Sequence, residues 1–319
     1  MRKRVLALLS TLALAASPAL AQPAFQAKDV NPGPGNEQAI LSAFQKFATL
    51  GTAVYFIGDD GIHGVELWRS DGTGPGTQLV KDVCPGACAA FPNALTAHGG
   101  FVFFTADDGV HGRELWKTDG TEAGTVLVQD IRPGLGDGAA GRVHLALGSF
   151  LYFPGDDGLS GLELWRTDGA VTQLVADIRP GAAGSGPSLR AAGSSQILFA
   201  ANDGVHGLEP WVTDGASTVL LGDLRPGTAS SAPPERNDQI SDLDIVSRQW
   251  AAAPWGGFLF VAGDTTHGHE LWVTDGTPAN TSLLLDIYPG ILGSSPSQLT
   301  NFAGAVYFAA GDPGYGLQI

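Results

Sequence analysis

The phrase Glu114-Leu115-Trp116-Lys117-Thr118-Asp119-Gly120-Thr121 does not stand alone in this chain. The same words recur at Glu66-Leu67-Trp68 with Asp71-Gly72-Thr73, and at Glu163-Leu164-Trp165 with Asp168-Gly169. They return at Glu209-Pro210-Trp211 with Asp214-Gly215, and at Glu270-Leu271-Trp272 with Asp275-Gly276-Thr277. Each copy then reaches an Asp and a Pro-Gly: Asp82 with Pro85-Gly86, Asp130 with Pro133-Gly134, Asp177 with Pro180-Gly181, Asp223 with Pro226-Gly227, Asp286 with Pro289-Gly290. Successive tryptophans are 48, 49, 46 and 61 residues apart. A period of that length restricts the fold to a solenoid, a propeller or an array.

The copy over residues 92–134 resolves into four strands. A short segment from Asn93 to His98 ends at Gly99-Gly100. Phe101 to Ala106 is aromatic and β-branched, as a buried strand requires. Asp107 to Gly112 reads as a turn, because Asp and Gly accept the conformations a tight reversal needs. Arg113 to Thr118 is the third strand, stopped by Asp119-Gly120, and Thr125 to Ile131 is the fourth, stopped by Pro133-Gly134. Nothing in the chain after residue 21 sustains a 3.6-residue period, so helix is a poor reading throughout.

Repeated four-stranded units of this length are expected to be propeller blades. There are six apolar second strands, the last at Val306-Tyr307-Phe308, but only five Trp strands. The chain given ends partway into a sixth third strand, at Leu317-Gln318-Ile319. Residues 25–33, Phe-Gln-Ala-Lys-Asp-Val-Asn-Pro-Gly, match the fourth-strand ending of the repeat. The expectation is an all-β, six-bladed β-propeller whose last blade, residues 291–319, is completed by an outer strand from residues 22–33. Such closure removes exposed sheet edges. The other repeats fall at roughly 34–86, 87–134, 135–181, 182–227 and 228–290, in one domain covering residues 22–319.

The words Glu-Leu-Trp-x-Thr-Asp-Gly-Thr, followed by Gly-Thr-x-Leu-Val-x-Asp-Ile-x-Pro-Gly, resemble the ELWxxDGT repeat of exported bacterial proteins, over nearly all of the chain beyond residue 21. The resemblance implies a secreted or surface β-propeller and brings no catalytic residues with it. The Trp-x-Thr-Asp core is also similar to the YWTD repeat of six-bladed receptor propellers, over four positions. Departures from the pattern are Pro210 for Leu, Ser160 for the turn His, and Gln318 for the repeat Glu.

The N-terminus reads as a cleavable signal peptide. Arg2-Lys3-Arg4 precedes an apolar run from Val5 to Ala16 that is too short to span a bilayer, and Ala19-Leu20-Ala21 is a small-x-small cleavage signal. Cleavage is expected after Ala21, giving a secreted or periplasmic protein without membrane insertion. It removes three of 17 basic residues and none of the 32 acidic ones, leaving 14 against 32. That balance argues against nucleic acid and anionic membranes, which need a basic face. The only cysteines, Cys84 and Cys88, are expected to form a local disulfide after export.

Repetition argues against catalysis, since an active site is one place. Glu66, Glu114, Glu163, Glu209 and Glu270, the five Trp and the Asp-Gly pairs occur once per repeat and read as architecture. Asp82, Asp130, Asp177, Asp223 and Asp286 are expected to bond backbone amides near the Pro-Gly turns. Asp59-Asp60, Asp107-Asp108, Asp156-Asp157, Asn202-Asp203 and Asp264 form acidic turns, with His63, His111, His206 and His267 beside them. A face with this many carboxylates could bind Ca²⁺, but no dense D-x-D-x-D-G loop is present, and the expectation is turn-forming aspartates exposed to water and no cofactor. His267-Gly268-His269 offers two metal ligands without a third, and turn capping is the expected role.

The clearest break in the symmetry is residues 228–257. From Pro-Gly to the next apolar run other repeats use about 14–16 residues, and this one uses about twice as many. It holds Arg248 and the only two Trp outside the repeat, Trp250 and Trp255. Loops on a rigid scaffold carry binding, so these three are the candidate ligand-binding residues. The expected function is a monomeric binding or structural module for a protein or glycan partner. The alternative is a propeller-based hydrolase or lactonase with an axial metal; the inner segments Asn93–Thr96, Ser188–Arg190 and Ser297–Thr300 hold no carboxylates for it.

Overall fold

The computed structural model describes residues 27–31, 47–141, 143–233, 249–314 and 316–318. The expected signal peptide and Arg248 lie outside them.

Each repeat forms one antiparallel sheet in which strands adjacent in sequence are hydrogen-bonded neighbours. The first sheet is β1 (Ala48–Leu50), β2 (Ala53–Asp59), β3 (Val65–Ser70) and β4 (Gln78–Lys81). The second is β5 (Asn93–His98), β6 (Phe101–Asp107), β7 (Arg113–Thr118) and β8 (Val126–Gln129). The third is β9 (Leu145–Leu147), β10 (Phe150–Asp156), β11 (Leu162–Thr167) and β12 (Thr172–Ala176), and the fourth is β13 (Ser188–Ala192), β14 (Ile197–Asn202), β15 (Leu208–Thr213) and β16 (Thr218–Leu220). The fifth is β17 (Trp250–Ala252), β18 (Phe258–Asp264), β19 (Gly268–Thr274) and β20 (Ser282–Leu285). The sixth has three described strands, β21 (Ser297–Phe302), β22 (Ala305–Asp312) and β23 (Gly316–Gln318). The only described helix is one 3₁₀ turn at Pro278–Asn280.

Alternation along the second and third strands sends neighbouring residues to opposite faces. Val102, Phe104 and Trp116 pack with Tyr55 and Leu67 of the first sheet. Phe103 and Leu115 pack the other way, with Leu151, Phe153 and Trp165 of the third. Tyr152 and Leu164 then meet Leu189 and Phe199, Ala200 and Val212 meet Phe260 and Trp272, and Leu259 and Leu271 meet Leu299. Burial on both faces is why these strands are apolar without a break. The innermost strands of several successive sheets lie side by side, β9 with β13, β13 with β17, and β17 with β21. Sheets packed face to face in chain order, inner strand beside inner strand, make a propeller-like arrangement.

Each repeat tryptophan from Trp116 onward faces the preceding sheet. Trp68 faces Val30 instead, together with Phe56. Residues 27–31 form no strand and lie against the first sheet, and none of them is paired with β23. The expected fourth strand of the last sheet is therefore not formed among the described residues. The far face of the sixth sheet is correspondingly open: Tyr307 is 51% exposed, whereas Tyr55, at the same position of the first sheet, is buried.

The glutamates hold the connections between sheets. Glu66, on β3 and fully buried, accepts N–H bonds from Val83 (3.2 Å), Cys84 (3.1 Å) and Ala90 (3.3 Å). Glu209 accepts from Leu224 and Ser231, and Glu270 from Ile287, Tyr288 and Ser294. One side chain thus fixes both ends of the link to the next sheet. Gly64, at φ +69°, is required because a Cβ there would lie 2.3 Å from the carbonyl oxygen of Cys88 in that link. Cys84 and Cys88 are joined as a disulfide, with Cα atoms 5.3 Å apart.

Candidate functional site

The turns between second and third strands share one geometry. Asp60 Oδ1 accepts the N–H groups of Ile62 and His63, both at 2.9 Å, and its Oδ2 lies 2.7 Å from His63 Nδ1. The pairs Asp108–His111, Asp203–His206 and Asp264–His267 repeat this at the same 2.7 Å. In the third turn Ser160 takes the place of His and bonds Asp157 through its N–H. The hydrogen bond to Asp60 raises the pKa of His63 above the usual imidazole value. Burial opposes ionisation of Asp264, but the His267 ring, with its N–H and that of Thr266, brings the carboxyl down to about 2. The turn histidines are caps, as expected, and their aspartates are already engaged.

A second pattern joins neighbouring sheets. Arg132, just before Pro133-Gly134, crosses to the third sheet and binds Asp156 at the end of β10, Nη1 to Oδ2, at 2.8 Å. Arg179 reaches the fourth sheet in the same way, where Asn202 holds the position of Asp156 and the guanidinium rests over Gly204. Arg225 is the next in the series. The position of Asp156 is now Gly263, as its pairing with His269 shows, and the position of Gly158 and Gly204 is Thr265. Among the described residues Arg225 has no carboxylate partner.

The result is a cavity of about 330 Å³ lined by Arg225, Gly263, Asp264, Thr265, Gly268, His269 and Ile291. Burial, and then the charge of Arg225, hold His269 below the usual imidazole range, so its ring is neutral at pH 7. The oxygens of Asp264 face its own turn, Oδ1 accepting from Thr266 (2.7 Å) and His267 (2.6 Å). The cavity thus offers a guanidinium, a neutral imidazole and a threonine side chain.

Of the expected site residues Trp250 and Trp255 are described, and Arg248 lies outside the described residues. Trp250 opens β17, is 3% exposed, and stacks on Phe260 with ring centroids 5.1 Å apart. Arg190 of the fourth sheet sits 5.6 Å from the centre of its ring. The expectation that Trp250 is a ligand-binding residue is therefore corrected: its ring is core, packed between the fourth and fifth sheets. Trp255 lies at the tip of the β17–β18 hairpin and is 62% exposed. Most of the extra length of residues 228–257 falls in 234–248, between the fourth sheet and β17 and outside the described residues. No group of three metal-ligating side chains lies together among the described residues, and His267 and His269 serve different sites. Arg225 and Gly263 escape a reading that looks for conspicuous residues. Their signal is a small one, the change from Asp156-Asp157-Gly158 to Gly263-Asp264-Thr265 when the turns are laid over each other.

No protein-family model matches the sequence, and no curated protein does. Among solved structures the chain is similar to one from a study of two prolyl endopeptidases, at 15% identity and TM-score 0.45, covering 83% of this chain and 38% of that one. It is similar to puromycin hydrolase at 16% identity and TM-score 0.41, covering 86% and 46%. It is also similar to TolB from Acinetobacter baumannii at 12% identity and TM-score 0.38, covering 70% and 50%. The chain spans half or less of each. At these scores no activity is carried across.

Proposed function

We propose that the chain is an exported binding module of the ELWxxDGT repeat type, a six-bladed propeller that recognises a protein or glycan outside the cytoplasm. The observation that carries this reading is the contrast between repeated and unrepeated residues. The repeated glutamates bond backbone N–H groups of the links, and the turn aspartates Asp60, Asp108, Asp203 and Asp264 bond their histidines. The departures from the pattern gather around the fifth sheet, where Arg225 has no carboxylate partner among the described residues and the unrepeated Trp255 stands exposed. Recognition on a nearly symmetric frame belongs to what breaks the symmetry. Export is supported by the charged, apolar and small-residue order of residues 1–21 and by the disulfide. Ring closure in one domain over residues 22–319 is supported by Val30, which fills against Trp68 the place a preceding sheet would take.

The test uses purified residues 22–319 on a glycan array and against purified extracellular proteins. Saturable binding that survives His63→Ala but is lost in the double variant Arg225→Gln, Trp255→Ala supports the module. Binding that depends equally on His63, or no saturable binding in either screen, overturns it.

A further inference from the structure

The Arg132–Asp156 contact shows what this junction is shaped to hold. There a guanidinium from one sheet receives a carboxylate from the next at 2.8 Å. A guanidinium and a carboxylate are matched in plane and in charge, which makes the pair stronger than a neutral hydrogen bond. At the junction of the fourth and fifth sheets the chain keeps the guanidinium, as Arg225, and replaces the carboxylate with Gly263. The side chain at the glycine of the other two junctions also changes, to Thr265, so the guanidinium cannot settle over the turn as Arg179 does over Gly204.

We infer that this cavity binds a small organic carboxylate, which takes the place that Asp156 occupies on Arg132. His269 is placed to bond the rest of such a ligand. Its ring lies 3.3 Å from where a Cβ on Gly263 would stand, beside the missing side chain. Among the described residues Asp264 is the acidic side chain lining the cavity, and it does not compete for Arg225, since both its oxygens are held by the turn and His267. A cavity of about 330 Å³ admits a molecule of single-sugar or single-amino-acid size. The inference deepens the binding-module reading and rests on it for the natural source of the carboxylate.

Calorimetric titration of residues 22–319 at low salt tests it, with D-glucuronate, N-acetyl-L-glutamate and D-glucose as probes. Saturable binding of at least one acid and none of D-glucose is expected. Which acid binds more tightly distinguishes a sugar acid from an acidic amino acid as the source. Arg225→Gln should weaken the binding about 10–100-fold, as loss of a hydrogen bond to a charged group does, with melting unchanged. Gly263→Asp should abolish it, because the variant supplies the carboxylate from within the chain. The Gly263 backbone is not in the left-handed region, and an added Cβ would stand 3.2 Å from the Gly268 carbonyl oxygen and 3.3 Å from the His269 ring, so both must give by a few tenths of an ångström. If Gly263→Asp does not fold, Arg225→Gln decides. Failure of both acids to bind, equal binding of D-glucose, or an unchanged affinity in Arg225→Gln overturns the inference. A macromolecular partner captured without any carboxylate binding sinks this inference and leaves the module standing; carboxylate binding without a macromolecular partner does the reverse.

Discussion

Lys28 stands over the ring of Trp68, its Nζ 5.8 Å from the centroid, and donates to the carbonyl oxygen of Thr77 at 3.0 Å. Lys81 does the same one repeat later, 6.0 Å from the centre of Trp116 and 2.9 Å from the carbonyl oxygen of Thr125. Lys81 ends the fourth strand of the sheet in front of Trp116. Lys28 therefore occupies, against the first sheet, the place of a fourth strand from a preceding sheet. This is where a segment closing the ring through the sixth sheet would lie.

Deleting residues 22–33 should then cost more than its few contacts suggest. Trp68 and Phe56 would be bared, and the place beside the first sheet would be free to pair with another chain. The expected outcome is a lower melting temperature or concentration-dependent association in sedimentation. A truncated protein that stays monomeric with unchanged melting would rule out closure by this segment.

The two non-repeat tryptophans should behave oppositely. Trp250→Ala removes a buried ring stacked on Phe260 and should cost on the order of 3–5 kcal/mol in chemical denaturation. Trp255→Ala removes an exposed ring and should change stability by less than about 0.5 kcal/mol. Comparable losses in the two variants would mean that the hairpin tip packs in solution.

Much of the scaffold is legible in the sequence because each feature is stated five times over. The strand from Arg113 to Thr118, the turn from Asp107 and the role of His63 all follow from local chemistry, and all are found. Trp250 is misread for want of a repeat to compare it with, since aromatic content alone does not say whether a short strand or a loop carries the ring. Arg225 is missed for the opposite reason. It belongs to the repeat, and what sets it apart is the loss of a partner about forty residues later, at Gly263. A site made by deletion leaves no conspicuous residue behind.

The buried glutamates predict an acid-side optimum of stability. Burial, outweighing the backbone donors, raises Glu66, Glu114 and Glu209 from 4.5 to about 7. A carboxyl whose pKa is higher folded than unfolded favours the folded state below the unfolded value, and that stability is lost as pH rises through the folded one. Buried His144, held down at about 4, and His269, also lowered, act in the opposite direction below the usual imidazole value but are outnumbered by the glutamates. The turn histidines, raised by their aspartates, lose their contribution only above that value. Unfolding free energy should therefore fall between about pH 4.5 and pH 7. Glu114→Gln should flatten that slope by up to one proton, ~1.4 kcal/mol per pH unit. Of the Glu114 oxygens, Oε1 accepts the N–H of Arg132 at 3.1 Å, and Oε2 has no hydrogen bond. A wild-type stability that rises over this window would contradict the assignment.

The disulfide should be a local device. It closes a loop of four-residue separation, which constrains the unfolded chain little. Cys84 is buried against the first two sheets, and Cys88 is exposed. Thiol titration of native protein should find no free thiol. Reduction should lower the melting temperature only slightly and leave a monomer. Two free thiols in the native exported protein would remove the support that the pair gives to export.

Calcium should change little. Ca²⁺ needs six to eight oxygens converging on one point, and the acidic turns belong to separate sheets. Their aspartate oxygens are also engaged: Asp60, Asp108 and Asp203 each hold two backbone N–H groups and a histidine. To gather them, a cation would have to break those turns first. Any ligand that binds only the folded state raises its apparent stability with concentration. Melting temperature measured in chelator and in millimolar CaCl₂ should agree. A saturable rise of several degrees would show that the turns rearrange to meet the ion, and variants Asp59→Asn, Asp107→Asn and Asp156→Asn would then locate the site by abolishing the rise one turn at a time.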